Sequence, residues 1–350
     1  MITLGIDAHK HTHTVVAVDE VGRELGTKTT LATATQDHLA LVRWADGFGP
    51  ERSWAVEDCR HLSRRLEADL LRAGERIARV PPKLMAHARD AARTYGKSDP
   101  IDALAVARAA LRYPDLPVAQ LDGPTRELRL LVDRREDLVA ERTRAINRLR
   151  WHLHELDPGW DPKPRSLNAY VNIDAVTRRL VGIDGMVARL AAEVAADVRS
   201  LTVRERTLHK EIARLAAELA PHLLELVGVN ALTAAKILGE VADVRRFTHK
   251  DAFAKHNGTA PLPAWSGHPK RHRLSRTGNR QLNAAIHRIV ITQARCHEDA
   301  IRFLKRRSEM GNTPTEARRA LKRRISDVVY RALLLDAEPH VCSTRGGGLT

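Results

Sequence analysis

The first 31 residues alternate short apolar runs with polar breaks, a period that favours strands over helices. "ITLGID" runs apolar into Asp7, "HTVVAVDE" follows a tight turn, and Gly22 breaks the chain before "ELGTKTTLAT". Three strands are expected there, then a helix over about residues 36–46. "RSWAVED" reads as a fourth strand, "HLSRRLEADLLRAG" as a helix closed by Gly74, and "RIARVPP" as a fifth strand. The alternation of strand and helix predicts an α/β domain over residues 1–120. Its last helix opens in "TYGKSDPIDALAVARAAL". Pro100 suits a first helical position, which makes Asp99 the N-cap and places Asp102 in the first turn on the same face.

From Thr125 the period becomes helical. Leu128, Leu131, Leu138, Ile146, Leu149 and Leu153 share one face in a highly charged context, and "DPGWDPKPR" breaks that helix at 157–165. A second long helix carries Val187, Val194, Leu201, Leu208 and Leu215 at seven-residue spacing, with Val198, Ile212 and Leu219 as part of a second row. Two charged helices with a narrow seam predict a coiled-coil arm over residues 121–221, the alternative being an ordinary helical bundle. Residues 222–335 read as a mainly α-helical domain, with a disordered tail at 336–350. That domain opens with "LLELVGVNALTAAKILGEV", a helix-hairpin-helix-like element in which Asn230 takes the second glycine position. A Pro/Gly-rich loop, "NGTAPLPAWSGHPKRHRLSRTGN", and two basic helices follow.

Charge narrows the partners. The chain of 350 residues has a net charge of +15. Between Arg245 and Arg331 stand 21 Lys and Arg against 6 Asp and Glu, an excess equal to the net charge of the whole chain. A basic last third with few aromatic residues points to nucleic acid rather than a membrane surface. Cys59, Cys296 and Cys342 form no CxxC pair, which excludes the common zinc modules and suits a reduced, cytoplasmic protein. No stretch reaches the ~20 apolar residues of a membrane span, and the N-terminus enters a strand pattern without a signal peptide.

Four acids stand at the ends of elements. Asp7 ends the first strand and Glu57 the fourth, so a sheet that pairs these strands projects both carboxylates from one edge. Asp99 and Asp102 come from the helix after the fifth strand. Four carboxylates gathered at one edge repel one another at neutral pH, and hard divalent cations with oxygen ligands relieve that repulsion. Two Mg²⁺ ions ~4 Å apart can clamp the attacking and leaving oxygens of a phosphodiester. His9, His11 and His13, alternating in "HKHTH", allow a His-rich metal site but read better as a polar hairpin end near bound nucleic acid, since neutral imidazole suits Zn²⁺ more than Mg²⁺.

With these residues placed, the sequence resembles the DEDD transposases of bacterial insertion sequences, serine recombinases guided by a bridge RNA. The resemblance runs over nearly the whole chain. "GIDAHKHTHTVVAVDE", "AVED" and "YGKSDPIDALAVA" are similar to their RuvC-like domain, of RNase H-like α/β fold. "LRLLVDRREDLVAERTRAINRLRWHL" is similar to their helical arm. "LVGVNALTAAKILGEV" and "AFAKHNGTAPLPAWSGHPKRHRLSRTGNRQLNAAIHRIV" are similar to their C-terminal transposase domain.

The resemblance implies a metal-binding tetrad of Asp7, Glu57, Asp99 and Asp102, with Mg²⁺ as cofactor and Mn²⁺ as a substitute. It implies a nucleophilic serine at Ser266, although Trp265 and His268 depart from the usual Ser/Gly surroundings; Ser275 is the rival. Arg271, Arg273 and Arg276 would hold a phosphate. Lys305, Arg306, Arg307, Lys322, Arg323 and Arg324 would hold nucleic-acid backbones. The implied partners are donor and target DNA, a structured guide RNA and further copies of the chain, as a dimer or tetramer. Two other readings stay open: a RuvC-like Holliday-junction nuclease using metal-activated water, and a non-catalytic nucleic-acid-binding protein.

Overall fold

The computed structural model describes residues 1–82, 84–85, 98–113, 116–119, 121, 123–263, 272–273 and 278–338. The chain divides into two compact units, Met1–Gly123 and Pro124–Thr350.

The first unit is a mixed five-stranded sheet with helices on both faces. Strands β1 (Ile2–Ala8), β2 (Thr12–Val18) and β3 (Glu24–Leu31) form the antiparallel meander. Strands β4 (Arg52–Glu57) and β5 (Ile77–Val80) extend it in parallel on the other side of β1, in the order β3-β2-β1-β4-β5. β1 is central, so its residues are buried on both faces and its pattern is continuous rather than alternating. Leu4, Ile6 and Ala8 join Leu41 and Ala45 of helix α1 (Thr35–Ala45) and Leu66 and Leu70 of α2 (Arg60–Arg72) in one core. The opposite face is covered by α3 (Asp99–Arg112), through Ala103 and Ala107 against Val16 and Val18, and Val106 against Ala55.

The contact beneath α3 is unusually close. A Cβ on Gly5 would lie 2.2 Å from the Ala103 carbonyl oxygen and 2.4 Å from the Ala107 nitrogen. The α3 backbone therefore rests directly on β1, which only glycine permits.

The second unit is helical. α4 (Pro124–Leu156) and α6 (Met186–Leu219) pack along each other, with the shorter α5 (Tyr170–Leu180) beside α6. α4 ends before the Pro/Gly-rich segment, as its composition predicts, whereas α5 was not expected. The buried stripe of α6 also differs from the expected seam. It runs through Ala188, Ala191, Ala195, Val198, Thr202, Glu205, Ile212 and Ala216, whereas Val187, Val194, Leu201, Leu208 and Leu215 are half-buried along its edge. Small side chains occupy the line of closest approach, and the larger ones flank it. Midway, the buried Glu205 carboxylate accepts from Arg142 at 3.3 Å and pairs with Arg135.

Leu128, Val132, Ile212 and Ala216 share a core with the C-terminal helices, so the chain does not leave this core at position 221. At its centre is α8 (Ala231–Val241), buried continuously from Thr233 to Val241. The preceding α7 (Pro221–Leu224) is a single turn whose Leu223 and His222 N–H groups donate to Asp336 at 3.1 and 2.8 Å. In the turn between them Gly228 has φ +88°, and Asn230 Oδ1 caps α8 by accepting from the Thr233 N–H at 2.9 Å. α9 (Lys250–His256), α10 (Arg280–Cys296), α11 (Glu298–Glu309) and α12 (Pro314–Ala337) complete the unit. α12 runs through Asp336, past the start expected for the tail, because Asp336 is held by its bonds to α7. Among the described residues no helix is long and apolar enough to cross a membrane.

Candidate metal centre

The parallel pairing of β1 with β4 matches Ile6 to Val56, so Asp7 and Glu57 are the next positions along two adjacent strands. Both follow residues that face α3, Gly5 and Ala55 respectively, and strand alternation returns them to that face. The first turn of α3 supplies Asp99 and Asp102 at the same end. The helix starts one position earlier than the capping argument predicts. Ser98 is the N-cap, with extended φ −153° and ψ 154°, and Asp99 is already helical. The Ser98 carbonyl accepts from the Asp102 N–H at 3.0 Å, which makes Ser98 the residue that closes the first turn.

Asp7 is buried and Asp99 is half-exposed, with Asp102 buried between the helix and the sheet. Burial raises the Asp7 carboxyl above the ordinary carboxylate range; nearby Asp102 and Asp99 add to the rise, and His9 opposes it. The charges therefore sense one another across the strand–helix junction. The N-terminal end of α3 also offers its positive dipole to that negative charge.

One member of the cluster is not among the expected site residues. His9 Nε2 lies 2.9 Å from Asp7 Oδ2 and 3.4 Å from Asp99 Oδ1. Asp7, His9 and Asp99 each offer a ligand atom, and these lie within 4.8 Å of one another. The polar-hairpin reading of "HKHTH" does not hold for all three histidines. β1 ends at Ala8 and β2 begins at Thr12, so His9 and His11 sit on the turn and His13 on the strand. His13 is buried opposite the carboxylates, its ring 5.4 Å from that of His38, which donates through Nδ1 to Asp69 at 2.7 Å. Strand alternation gives no signal for His9, because β1 ends at Ala8 and the turn, not the strand, carries His9 to the carboxylates.

The donor chemistry fits a divalent ion: carboxylate oxygens for a hard cation, and one imidazole nitrogen that widens the choice to Mn²⁺.

In the second unit two short strands flank the stretch of sequence that carries Ser266. Strand β6 (Leu262–Pro263) pairs with β7 (His272–Arg273). Gly278 lies against Gly258 so closely that a Cβ on Gly278 would stand 2.3 Å from the Gly258 nitrogen. Asn279 fastens the junction. Its N–H donates to the His256 carbonyl at 2.7 Å, its Nδ2 to Glu240 at 2.7 Å, and its Oδ1 caps α10 by accepting from Leu282 N–H at 2.9 Å. Ser266, Arg271, Ser275 and Arg276 lie outside the described residues.

The expected backbone-binding residues separate into two groups. Arg273, Lys305, Arg306 and Arg324 are exposed, Arg324 over the ring of Phe303. Lys322 instead donates to Asn283 Oδ1 at 2.6 Å, and burial lowers its ammonium pKa. Arg323 pairs with Asp251 and Asp327, and Arg307 is half-buried.

Comparison with known proteins matches two separate stretches of the chain. The DEDD transposase model of IS110 elements matches residues 4–158, and the model described as the transposase IS116/IS110/IS902 family matches residues 220–305. The uncharacterized 42 kDa protein of insertion element IS900 from Mycobacterium paratuberculosis is 27% identical, over 97% of each chain. The uncharacterized 44.8 kDa protein of IS116 from Streptomyces clavuligerus is 28% identical, over 95% of this chain and 94% of that one. Among solved structures, T. thermophilus RuvC in complex with a Holliday junction substrate aligns with 32% of this chain and 94% of its own, at 19% identity and a TM-score of 0.26. With both halves matched to the same kind of enzyme, the chain belongs to the IS110/IS116 family of insertion-element transposases.

Proposed function

We propose that this transposase cuts and rejoins DNA by transesterification, using the acidic cluster and a serine nucleophile. The observation that carries the reading is the convergence of Asp7 and Asp99, with Asp102 in electrostatic reach, at the end of β1 where β4 delivers Glu57. The strand order β3-β2-β1-β4-β5 supports an RNase H-like reading of this unit. Asp7, Glu57, Asp99 and Asp102 would hold Mg²⁺, with Mn²⁺ as a substitute. Bound there, the ions supply Lewis acidity at the attacked phosphate.

Ser266 is the nucleophile in this reading. Its Oγ bonds to the phosphorus, the phosphorus–oxygen bond to one deoxyribose breaks, and that oxygen leaves as a hydroxyl with a proton. A hydroxyl of the exchanged strand then attacks the phosphoserine and frees Ser266. Each step exchanges one phosphoester for another, so no ATP is consumed. Arg271, Arg273 and Arg276 steady the phosphate. Exposed Lys305, Arg306 and Arg324 hold backbones of DNA and of a guide RNA, whose base pairing selects sequence. In this reading copies of the chain assemble as a dimer or tetramer through the long helices.

The test is covalent trapping on a pre-formed complex of protein, the element's RNA and its DNA ends. Ser266→Ala should lose the protein–DNA adduct and recombination while binding both nucleic acids. Asp7→Ala should lose recombination with its fold retained. An adduct mapped to Ser275 by mass spectrometry would move the nucleophile there. Efficient cleavage by Ser266→Ala without any adduct would replace the serine by metal-activated water.

A further inference from the structure

The acidic tetrad does not account for His9. Its ring is held at the carboxylates by the β1–β2 turn, where the His9 N–H donates to the Thr12 carbonyl at 3.0 Å. Nε2 then stands 2.9 Å from Asp7 Oδ2 and 3.4 Å from Asp99 Oδ1. Neighbouring ligands on an octahedral ion, with bonds of about 2.1 Å at right angles, lie about 3 Å apart. His9 Nε2 stands near that spacing from both carboxylate oxygens, and all three donor atoms lie within 4.8 Å of one another. The ring is also half-exposed, so the face of the cluster next to it stays open to an incoming phosphate.

We infer that His9 is a metal ligand of this centre, giving one ion a nitrogen donor alongside the carboxylates of Asp7 and Asp99. The inference rests on the metal reading proposed above and deepens it. A nitrogen donor favours Mn²⁺ over Mg²⁺, because imidazole binds transition ions more strongly than alkaline-earth ions. His9 therefore sets the metal preference of the site, whereas an all-oxygen tetrad would not.

Electron spin echo spectroscopy of the full chain with substoichiometric Mn²⁺ reads this directly, since a coordinated imidazole imprints ¹⁴N modulation on the manganese signal. The wild type should show that modulation, and His9→Ala should bind Mn²⁺ about tenfold or more weakly without it. Mg²⁺ affinity, measured by competition, should fall less. His9→Asn, a substitution suited to a turn, should behave like His9→Ala. Asp7→Asn should bind neither ion tightly. Mn²⁺ binding that needs Asp7 but shows no ¹⁴N modulation would overturn the inference and leave the acidic centre standing. Modulation that persists in His9→Ala would equally overturn it, by assigning the nitrogen elsewhere. Absence of any Asp7-dependent Mn²⁺ binding would overturn the metal reading itself, and the His9 role with it.

Discussion

Replacing Gly5 by alanine should disable the acidic centre without touching a single acid. Thr3, Gly5 and Asp7 share the α3 face of β1, and Gly5 pairs with Val16 on one side and Ala55 on the other. The strand is thus fixed in the sheet's plane and cannot move aside. An added Cβ would meet the Ala103 oxygen at 2.2 Å, the Ala107 nitrogen at 2.4 Å and the Ala107 Cβ at 2.7 Å. Two of these atoms are helix backbone, so no rotamer change relieves the clash. To restore ordinary contact α3 must withdraw by about 1 Å, the difference between these separations and van der Waals distance. Overpacking of this kind costs about 1–3 kcal/mol.

The functional cost should be larger than the stability cost. Ala103 adjoins Asp102, so the withdrawal carries Asp99 and Asp102 away from Asp7. A misplacement of about 1 Å at reacting groups can cost on the order of 10²-fold in rate. Gly5→Ala should therefore melt several degrees lower than wild type, bind Mn²⁺ more weakly, and recombine roughly a hundredfold more slowly. Gly47→Ala is the control, since a Cβ there meets nothing within 4 Å. A Gly5→Ala protein with wild-type melting temperature and Mn²⁺ affinity would refute the claim that this glycine sets the distance between strand and helix.

Two further outcomes follow from buried contacts. The His13 pKa is lowered to about 4, by burial first and then by the nearby His38 and His9. Its neutral form is therefore the one folded, and the stability it supports is complete above the unfolded value near 6.5 and is lost as pH falls toward 4. That is about 3 kcal/mol at about 1.4 kcal/mol per unit. Urea unfolding from pH 7 to 4 should show the loss, and an undiminished pH slope in His13→Gln would contradict it. Gly278→Ala would place a Cβ 2.3 Å from the Gly258 nitrogen and 2.8 Å from the Asn257 carbonyl carbon. It should abolish adduct formation while leaving Mn²⁺ binding at wild-type strength, and an adduct yield equal to wild type would show that the Gly258–Gly278 seat does not position the serine loop.

The elements of the first unit were legible because strand and helix periods there are clean and glycine marks the turns. Asp7 and Glu57 could be placed side by side as soon as β1 and β4 were taken as neighbours, since their positions at strand ends follow from the apolar runs before them. His9 was not legible in the same way. Its role depends on where β1 stops, and a strand continued through "HKHTH" would have put His9, His11 and His13 on one face. The turn at residues 9–11 separates them, leaving His9 at the carboxylates and His13 in the core on the other side of the sheet. The surroundings of Lys322 are not legible for a related reason: a basic run on a helix reads as one surface, yet helical rotation turns Lys322 toward Asn283 and leaves Arg324 outside.

The misplaced seam of α6 and the close seat of α3 have a common physical origin. Pattern reading weighs large apolar side chains, because each buries more area and so carries more of the hydrophobic signal. Distance between elements, however, is set by the smallest residues on the facing surfaces. In α6 these are Ala188, Ala191, Ala195 and Ala216, with Val194, Leu201 and Leu208 flanking the contact and covering its edges. In α3 they are Ala103 and Ala107, resting on Gly5. At α6 a larger residue would cost packing alone. At α3 it would also separate the carboxylates, because Asp102 is one residue from Ala103 and Asp7 is two from Gly5. Ala103 and Ala107 are therefore as much a part of the proposed metal centre as its aspartates: they fix the distance across which the acids meet.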